Sequence, residues 1–275
     1  MSLRINTNLA SLAVQNAMNQ SQKATDRSMK NLSTGSRLSD PSADVAGAAI
    51  SSQMNAEIRS MGAAKMNADQ ATSFVSVAEG SMNEQSNILM RLRELSVQAA
   101  SDNYSANERS LMQKETGELT SEFDRIAKTT KYGSQSLLDG SIAKFDFQVG
   151  TTAGAESRIS YNSDTNTTAS NLDVDGISVS EKGDALSSLG KIDKAMQSIS
   201  QNRARFGAMQ SRLDVAQNNL GTQIENLSQA KSKIADADLG KEVSDVRRGQ
   251  VLQQYQAAML QEANGMGTLA LKLIG

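Results

Sequence analysis

A heptad repeat of small and apolar residues starts at Met61 and continues to Ala99. Such spacing indicates a helix that packs along one seam against a partner. At about 1.5 Å per residue the repeat predicts a helix roughly 58 Å long, and its many alanines require a partner that approaches closely. Only Gln85 and Ser96 interrupt the seam. The seam positions are Met61, Ala64, Ala68, Ala71, Val75, Ala78, Met82, Gln85, Leu89, Leu92, Ser96 and Ala99.

A second repeat lies nearer the end of the chain and has an apolar residue at every d position. Its a positions are mixed and include Arg203 and Lys231. A one-sided stripe is typical of a helix packed within a bundle, with flanks available for other contacts. The d positions are Ile192, Ile199, Phe206, Leu213, Leu220, Leu227 and Ile234.

Shorter patterns predict three further helices. One follows SDNYSANE, where Ser105 or Asn107 is a candidate N-cap, and carries Met112, Thr116, Leu119, Phe123 and Ile126. Two weaker amphipathic helices lie near the termini. Their apolar stripes contain Met18, Thr25, Met29 and Leu32 in the first helix, and Leu252, Tyr255, Met259, Ala263 and Met266 in the second.

The segment of about residues 141–185 is different, because it is rich in Gly, Ser, Thr, Asn and Asp. FDFQVG and SRISYN alternate with period two around TTAGAE, which predicts a β-hairpin. LDVDGISVS is a candidate for another short strand pair. The predicted fold is therefore mainly α: a long antiparallel helical bundle with coiled-coil packing, a small β-hairpin region, and a separate layer made by the terminal helices.

Composition excludes most catalytic chemistry. The chain of 275 residues has no Cys and no His, which removes thiol nucleophiles, disulfides, zinc sites with Cys or His ligands, and Ser-His-Asp arrangements. NSDTNTTASNLD has Asn162, Asp164 and Asn166 at odd spacing, but Thr167 and Asp173 stand where a calcium loop needs Gly and Glu. We interpret it as a polar turn, and predict no enzyme, no cofactor and no catalytic or metal-binding residue.

Charge and hydropathy also limit the partners. The net charge is −2 without a basic block, which argues against nucleic acid. No segment approaches the roughly 18 apolar residues of a membrane span, so we expect no membrane insertion. The first twenty residues lack the apolar core and cleavage site of a secretory signal.

The chain ends in TLALKLIG, an apolar stretch where chain ends usually fray. Apolar residues near this end spread over more than one helical face, so pairing the two terminal helices would leave part of them in water. We therefore expect association with further copies of the chain. A membrane-surface helix is the alternative, weakened by few basic residues and no Trp.

Several motifs, in order, resemble bacterial flagellin, the subunit of the flagellar filament. They are INTNLASLAVQNAMNQSQ, LSTGSRLSDPSADVAGAAIS, RLRELSVQAASDNYSANER, EFDRIAKTTKYGSQSLLDG, FQVG and AQNNLGTQIENLSQAKSKIADADLGKEVS. The resemblance covers roughly residues 1–150 and 185–275, and indicates a short flagellin that lacks large outer domains. It implies a subunit of an extracellular filament for swimming motility; a hook-filament junction protein is the alternative.

The resemblance implies a layered subunit. Residues 1–34 with 248–275 would form the inner terminal-helix domain, 35–45 and 235–247 the linkers, and 46–234 the rod domain. The rod would hold long helices at about 46–100, 105–129 and 186–234, with the β region at about 141–185. The expected filament-core contacts are Ile5, Leu9, Leu12, Met18, Leu252, Tyr255, Met259, Met266, Leu269 and Leu273.

The resemblance further implies export through the flagellar type III apparatus, and as partners an export chaperone, a cap and hook-junction proteins. It also implies recognition of the free monomer by an animal Toll-like receptor, through Arg91, Leu95 and Glu115. In the filament the same face would contact neighbouring subunits. From the residues alone, Arg91 and Glu94 indicate only a solvated helix face with an intrahelical pair.

Overall fold

The computed structural model describes residues 8–142, 144–162 and 165–274, with side-chain detail for these residues except Asn162 and those after 265. In chain order the elements are α1 (Leu9–Thr34), α2 (Val45–Ala99), α3 (Ala106–Thr129), β1 (Lys131–Tyr132), β2 (Gln135–Ser136), β3 (Lys144–Gln148), β4 (Arg158–Asn162), α4 (Lys182–Ala235) and α5 (Leu239–Ile274). The mainly α prediction is confirmed. The chain divides into two compact units, Met1–Ala56 with Asn226–Gly275 and Glu57–Glu225.

The core of the unit Glu57–Glu225 follows the predicted heptads. All twelve seam positions of α2 are buried, including the polar Gln85 and Ser96. On α4 the d positions Ile192, Ile199, Phe206, Leu213 and Leu220 are buried as well. Side chains of both helices, among them Val75 and Met82 of α2 and Ile199 and Phe206 of α4, belong to one apolar core.

The two long helices run antiparallel. Arg93 Nε donates to Asp193 Oδ1 at 2.9 Å, and Gln217 Nε2 donates to Thr72 Oγ1 at 3.1 Å. The partner numbers rise on one helix as they fall on the other, so the predicted antiparallel bundle is confirmed within this unit.

Helix α3 begins at a capping box. The hydroxyl of Ser105 accepts from the main-chain N–H of Glu108, and the Glu108 carboxylate accepts from the main-chain N–H of Ser105. Of the two candidate N-caps the structure selects Ser105. These hydrogen bonds stabilise the ionised carboxylate and lower the pKa of Glu108.

The predicted hairpin is confirmed as β3 and β4, which pair antiparallel with Phe145 opposite Tyr161 and Phe147 opposite Ile159. Phe74 of α2 contacts the sheet edge to face, with its ring centroid 4.6 Å from that of Phe145. The hairpin therefore buries an aromatic face against the long helices.

One expectation for the β region is wrong, and one hairpin was not predicted. LDVDGISVS forms turns rather than strands, because Val174 and Ile177 both point inward at a spacing of three, and Val174 N–H donates to Ala169 C=O at 2.8 Å. A small hairpin, β1 with β2, instead precedes the predicted region. It turns at Gly133, whose φ of +61° favours glycine.

The connections between the terminal and long helices are tied to each other within the unit Met1–Ala56 with Asn226–Gly275. Arg37 N–H donates to Ala235 C=O and Ala237 N–H donates to Gly35 C=O, both at 2.9 Å. Between α4 and α5 only residues 236–238 are non-helical, and Asp238 accepts from Lys241 N–H at the start of α5. The expected linker 235–247 therefore includes the first turns of α5. The boundaries of the compact units fall within α2, between Ala56 and Glu57, and within α4, between Glu225 and Asn226. The expected boundaries of the rod domain were residues 46 and 234.

Candidate assembly surface on the terminal helices

Helices α1 and α5 pair antiparallel through polar side chains. The Asn8 amide donates to Ala263 C=O at 2.8 Å, and the Gln253 amide donates to Gln22 Oε1 at 2.6 Å. Nearer the other end of the pair, the Asn31 amide donates to Glu242 Oε1 at 3.0 Å. These contacts join residues far apart in the chain along one continuous seam.

The buried positions of this seam are mostly small or polar. On α1 they are Thr25, Ser28 and Asn31, and on α5 they are Val246, Gly249 and Ala263. The expected apolar stripe of α1 is therefore only partly in the seam: Met18 and Leu32 are half-buried and Met29 is exposed. A seam of this composition holds the pair together without using its large apolar side chains.

Gly249 allows the two helices to approach closely. A Cβ atom at this position would lie 2.1 Å from Thr25 Oγ1, well inside van der Waals contact. Sequence reasoning did not single out Gly249, although a glycine inside a helical pattern is a recognised signal for close backbone approach.

The large apolar residues of α1 and α5 face away from the seam. Tyr255 is 69% exposed, Leu9 61% and Met259 60%. We call the following set the outward apolar surface: Leu9, Leu12, Val251, Leu252, Tyr255 and Met259. The stretches 9–22 and 249–261 that carry it contain no charged residue, so this surface lacks the ionic groups that usually keep a helix face in water.

The expected filament-core residues fall into three groups. Leu9, Leu12, Leu252, Tyr255 and Met259 are exposed on the outward apolar surface, and Met18 borders the seam. Ile5 lies outside the described residues. Met266, Leu269 and Leu273 belong to α5, but their side chains lie outside the described part of the chain.

A second candidate surface lies on α2 and α3, where Arg91 Nη2 is 2.7 Å from Glu115 Oε1 and Arg91 Nη1 is 3.0 Å from Glu94 Oε2. All three side chains are exposed. Beside them a groove between α2 and α4 is lined by Met90, Arg93, Glu94, Val97, Gln98 and Met196.

The expectation that Leu95 belongs to this surface is wrong, because Leu95 is only 2% exposed. Leu95 comes one turn after Arg91, whose ion pair with Glu115 shows that α3 covers this side of α2. Arg91 and Glu115 are brought together at the surface, and Leu95 lies beneath them in the packing between helices.

The described residues contain no group of three or more His, Cys, Asp or Glu side chains placed to hold a metal ion. Within the same residues, none of the helices combines the length and hydropathy needed to cross a membrane.

Comparison with known proteins identifies both ends of the chain. The family model for the bacterial flagellin N-terminal helical region matches residues 5–143, and that for the bacterial flagellin C-terminal helical region matches residues 189–274. The crystal structure of Bacillus cereus flagellin is similar with a TM-score of 0.51 and 27% identity, over 60% of this chain and 94% of that chain. A flagellar hook-associated protein from Vibrio parahaemolyticus has a TM-score of 0.57 at only 14% identity, a likeness of fold alone.

Curated relatives match over almost their whole length. The flagellar filament 33 kDa core protein of Treponema phagedenis is 32% identical over 98% of this chain and 99% of its own. The flagellin of Halalkalibacterium halodurans is 33% identical over 94% and 93%, and that of Bacillus subtilis 32% over 99% and 100%. The chain therefore belongs to the bacterial flagellin family, and it is a structural subunit, not an enzyme, that polymerises into the extracellular flagellar filament.

Proposed function

We propose that the outward apolar surface is the surface through which copies of this chain join in the filament. Residues 1–34 and 248–275 form the innermost layer in this proposal, the linkers 35–45 and 235–247 lead out of it, and the rod domain 46–234 forms the layer outside. The observation that carries the proposal is the inverted arrangement of α1 and α5, with polar side chains in the seam and Leu9, Tyr255 and Met259 in water.

The energetics favour assembly on this surface. Moving one large apolar side chain out of water contributes about 1.5–3 kcal/mol. Because residues 9–22 and 249–261 carry no charge, burying them requires no desolvation of ions. The parts of this surface on α1 and on α5 carry different residues, which favours an unsymmetrical contact between copies. A contact of that kind builds an open filament when the rotation from one copy to the next does not close into a ring.

The apolar sequence continues beyond the described side chains at both ends of the chain. Ile5, Met266, Leu269 and Leu273 continue the apolar sequence of the two terminal segments. We assign them to the same filament-core contact, together with Met18 at the edge of the seam.

The proposal is tested by removing apolar side chains from α5. The double variant Tyr255→Ser, Met259→Ser should raise the critical concentration for seeded elongation at least about tenfold, since two buried side chains are worth more than 1.4 kcal/mol. The matched control is Val215→Ser, Met66→Ser, whose side chains are 69% and 60% exposed in the other unit. Elongation of the Tyr255, Met259 variant at the rate of the unsubstituted chain would contradict the proposal.

We propose that the surface of Arg91 and Glu115 contacts a neighbouring copy in the filament, and that a Toll-like receptor recognises it in the free monomer. The exposed ion pair and the adjacent groove with Met90, Val97 and Met196 support this, since they combine charge with exposed apolar area. Leu95 supports the surface from below. In a receptor-reporter assay, Arg91→Glu monomer should lose most activity while Lys114→Glu, an exposed charge change on α3, should not.

The export chaperone, the cap and the hook-junction proteins are proposed as further partners. An exposed apolar surface needs shielding before assembly, which favours a chaperone that covers α5. A purified flagellar export chaperone should bind the full chain and should fail to bind a chain that lacks residues 248–275. Equal binding to both chains would place the chaperone elsewhere.

A further inference from the structure

Thr25 occupies the space that a side chain at Gly249 would need in the seam of α1 and α5. Glycine in a helix interior costs roughly 1 kcal/mol relative to alanine. At Gly249 the cost has a local reason, because an added Cβ atom would lie 2.1 Å from Thr25 Oγ1. Thr25 is β-branched and its hydroxyl donates to Ser21 C=O at 2.9 Å, so rotation of its side chain offers little relief.

Polar pairs flank this contact on both sides. Gln253 donates to Gln22 at 2.6 Å on one side, and Asn31 donates to Glu242 at 3.0 Å on the other. An apolar seam can slip by a turn with modest loss, whereas a displaced polar pair leaves its groups unsatisfied. This applies to Asn31, which is buried, so that a shifted register would leave its amide unsatisfied. The Gln22–Gln253 pair is exposed, and it adds a weaker preference because water can replace it.

Register matters because the outward apolar surface is shared between the two helices. Leu9 and Leu12 come from α1, while Val251, Tyr255 and Met259 come from α5. A slip of one turn would move the two sets past each other by about 5.4 Å. A neighbouring copy that fits one alignment would then meet a different surface.

We propose that the contact of Thr25 with Gly249, together with the flanking pairs Gln22–Gln253 and Asn31–Glu242, fixes the register of α1 against α5 for assembly. We call these six residues the register lock. The lock permits the one alignment of α1 and α5 that presents a single apolar surface to the next copy. This inference rests on the proposed role of the outward apolar surface in polymerisation. It assigns to the seam a function separate from that surface, because none of the lock residues needs to touch another copy.

The test replaces Gly249→Ala and measures the critical concentration for seeded elongation. Alanine favours helix, so a defect cannot come from a weaker α5. Overpacking at this contact should raise the critical concentration about tenfold, which corresponds to about 1.4 kcal/mol. The matched control is Gly265→Ala on the same helix, where an added Cβ atom meets nothing within 4 Å. It should elongate as the unsubstituted chain does.

The double variant Thr25→Ala, Gly249→Ala removes the atom that the added methyl group meets, and it should return elongation to within about threefold of the unsubstituted chain. Circular dichroism should show unchanged helical content for all three variants. Normal elongation of Gly249→Ala, or a double variant as defective as Gly249→Ala, would overturn the lock. Neither result affects the proposed assembly surface, which fails only if the Tyr255, Met259 variant elongates normally.

Discussion

Gln85 on α2 donates its side-chain amide to the main-chain carbonyl of Phe123 on α3, at 3.3 Å. The same amide also donates to Thr167 C=O at 3.2 Å, so one side chain joins α2, α3 and the segment after β4. Gln85 is fully buried in the middle of an otherwise apolar seam. Polar residues at single seam positions are known to fix register at a cost in stability.

Replacing Gln85→Ala should destabilise this unit by about 2–3 kcal/mol, because it leaves a cavity and removes a donor from the carbonyl of buried Thr167. Chemical denaturation followed by circular dichroism measures the change. Gln98→Ala is the control, since Gln98 is exposed on the same helix. If both variants unfold at the same denaturant concentration, the Gln85 bridge contributes nothing.

Ser105→Ala should lower the stability of α3 by about 1 kcal/mol, because it removes the side-chain acceptor of the capping box. Ser110→Ala, at an exposed position inside the same helix, should be neutral or slightly stabilising. Hydrogen exchange of the first turn of α3 gives the local measurement. Unchanged protection there in Ser105→Ala would mean that the cap is dispensable.

Stability should be constant between about pH 6 and 8, because the chain has no histidine. It should fall in acid. Hydrogen bonds lower the pKa of Glu108 from 4.5 through Ser105 and that of Glu122 from 4.5 through Arg125. A carboxylate whose folded pKa is lowered contributes stability above its unfolded pKa and loses it as the pH falls through the folded value. The midpoint temperature of thermal unfolding should therefore fall as the pH is lowered below about 4.5. A midpoint temperature that already decreases as the pH is lowered from 8 to 6 would contradict this.

Glu115→Gln should leave the thermal midpoint within about 1 °C of the unsubstituted chain, because the Arg91–Glu115 pair is nearly half exposed and solvent screens it. Differential scanning calorimetry measures this change. A pair with a purely structural role would instead lower the midpoint by several degrees, and that result would argue against a contact function for the Arg91 and Glu115 surface.

Deleting residues 268–275 should abolish seeded polymerisation while the unit Glu57–Glu225 keeps its helical content. We expect the amides of this apolar tail to gain protection from hydrogen exchange on assembly. Negative-stain microscopy and hydrogen exchange together measure the two effects. Normal filaments from the truncated chain would show that residues 268–275 are not needed for polymerisation.

The long helices could be predicted in detail because their periodicity and their burial have the same cause. A residue that recurs at a and d faces one neighbour, and the two packed helices bury it whatever its type, as Gln85 and Ser96 show. The burial of Leu95 could not be predicted from the heptads, because a third element, α3, covers α2 beside the seam. Burial by a helix that packs beside the seam leaves no heptad spacing in the sequence.

The terminal helices were harder to predict for a different reason. Hydrophobic periodicity assumes that apolar residues are buried within the chain. In α1 and α5 the apolar residues Leu9 and Tyr255 face outward, while Thr25, Ser28 and Gly249 occupy the seam. The sequence correctly indicated unburied apolar surface, but the face could not be assigned without the contacts. Gly249 was the available signal for the true seam.

In the filament, neighbouring copies should bury the outward apolar surface of α1 and α5. Electron cryomicroscopy of the polymerised filament at side-chain resolution tests this burial directly, by measuring the exposure of Tyr255 and Met259. These side chains are 69% and 60% exposed in the single subunit, and we expect both to be buried against another copy while Thr25 stays in contact with Gly249. Tyr255 and Met259 facing solvent in the assembled filament would contradict the proposed assembly surface.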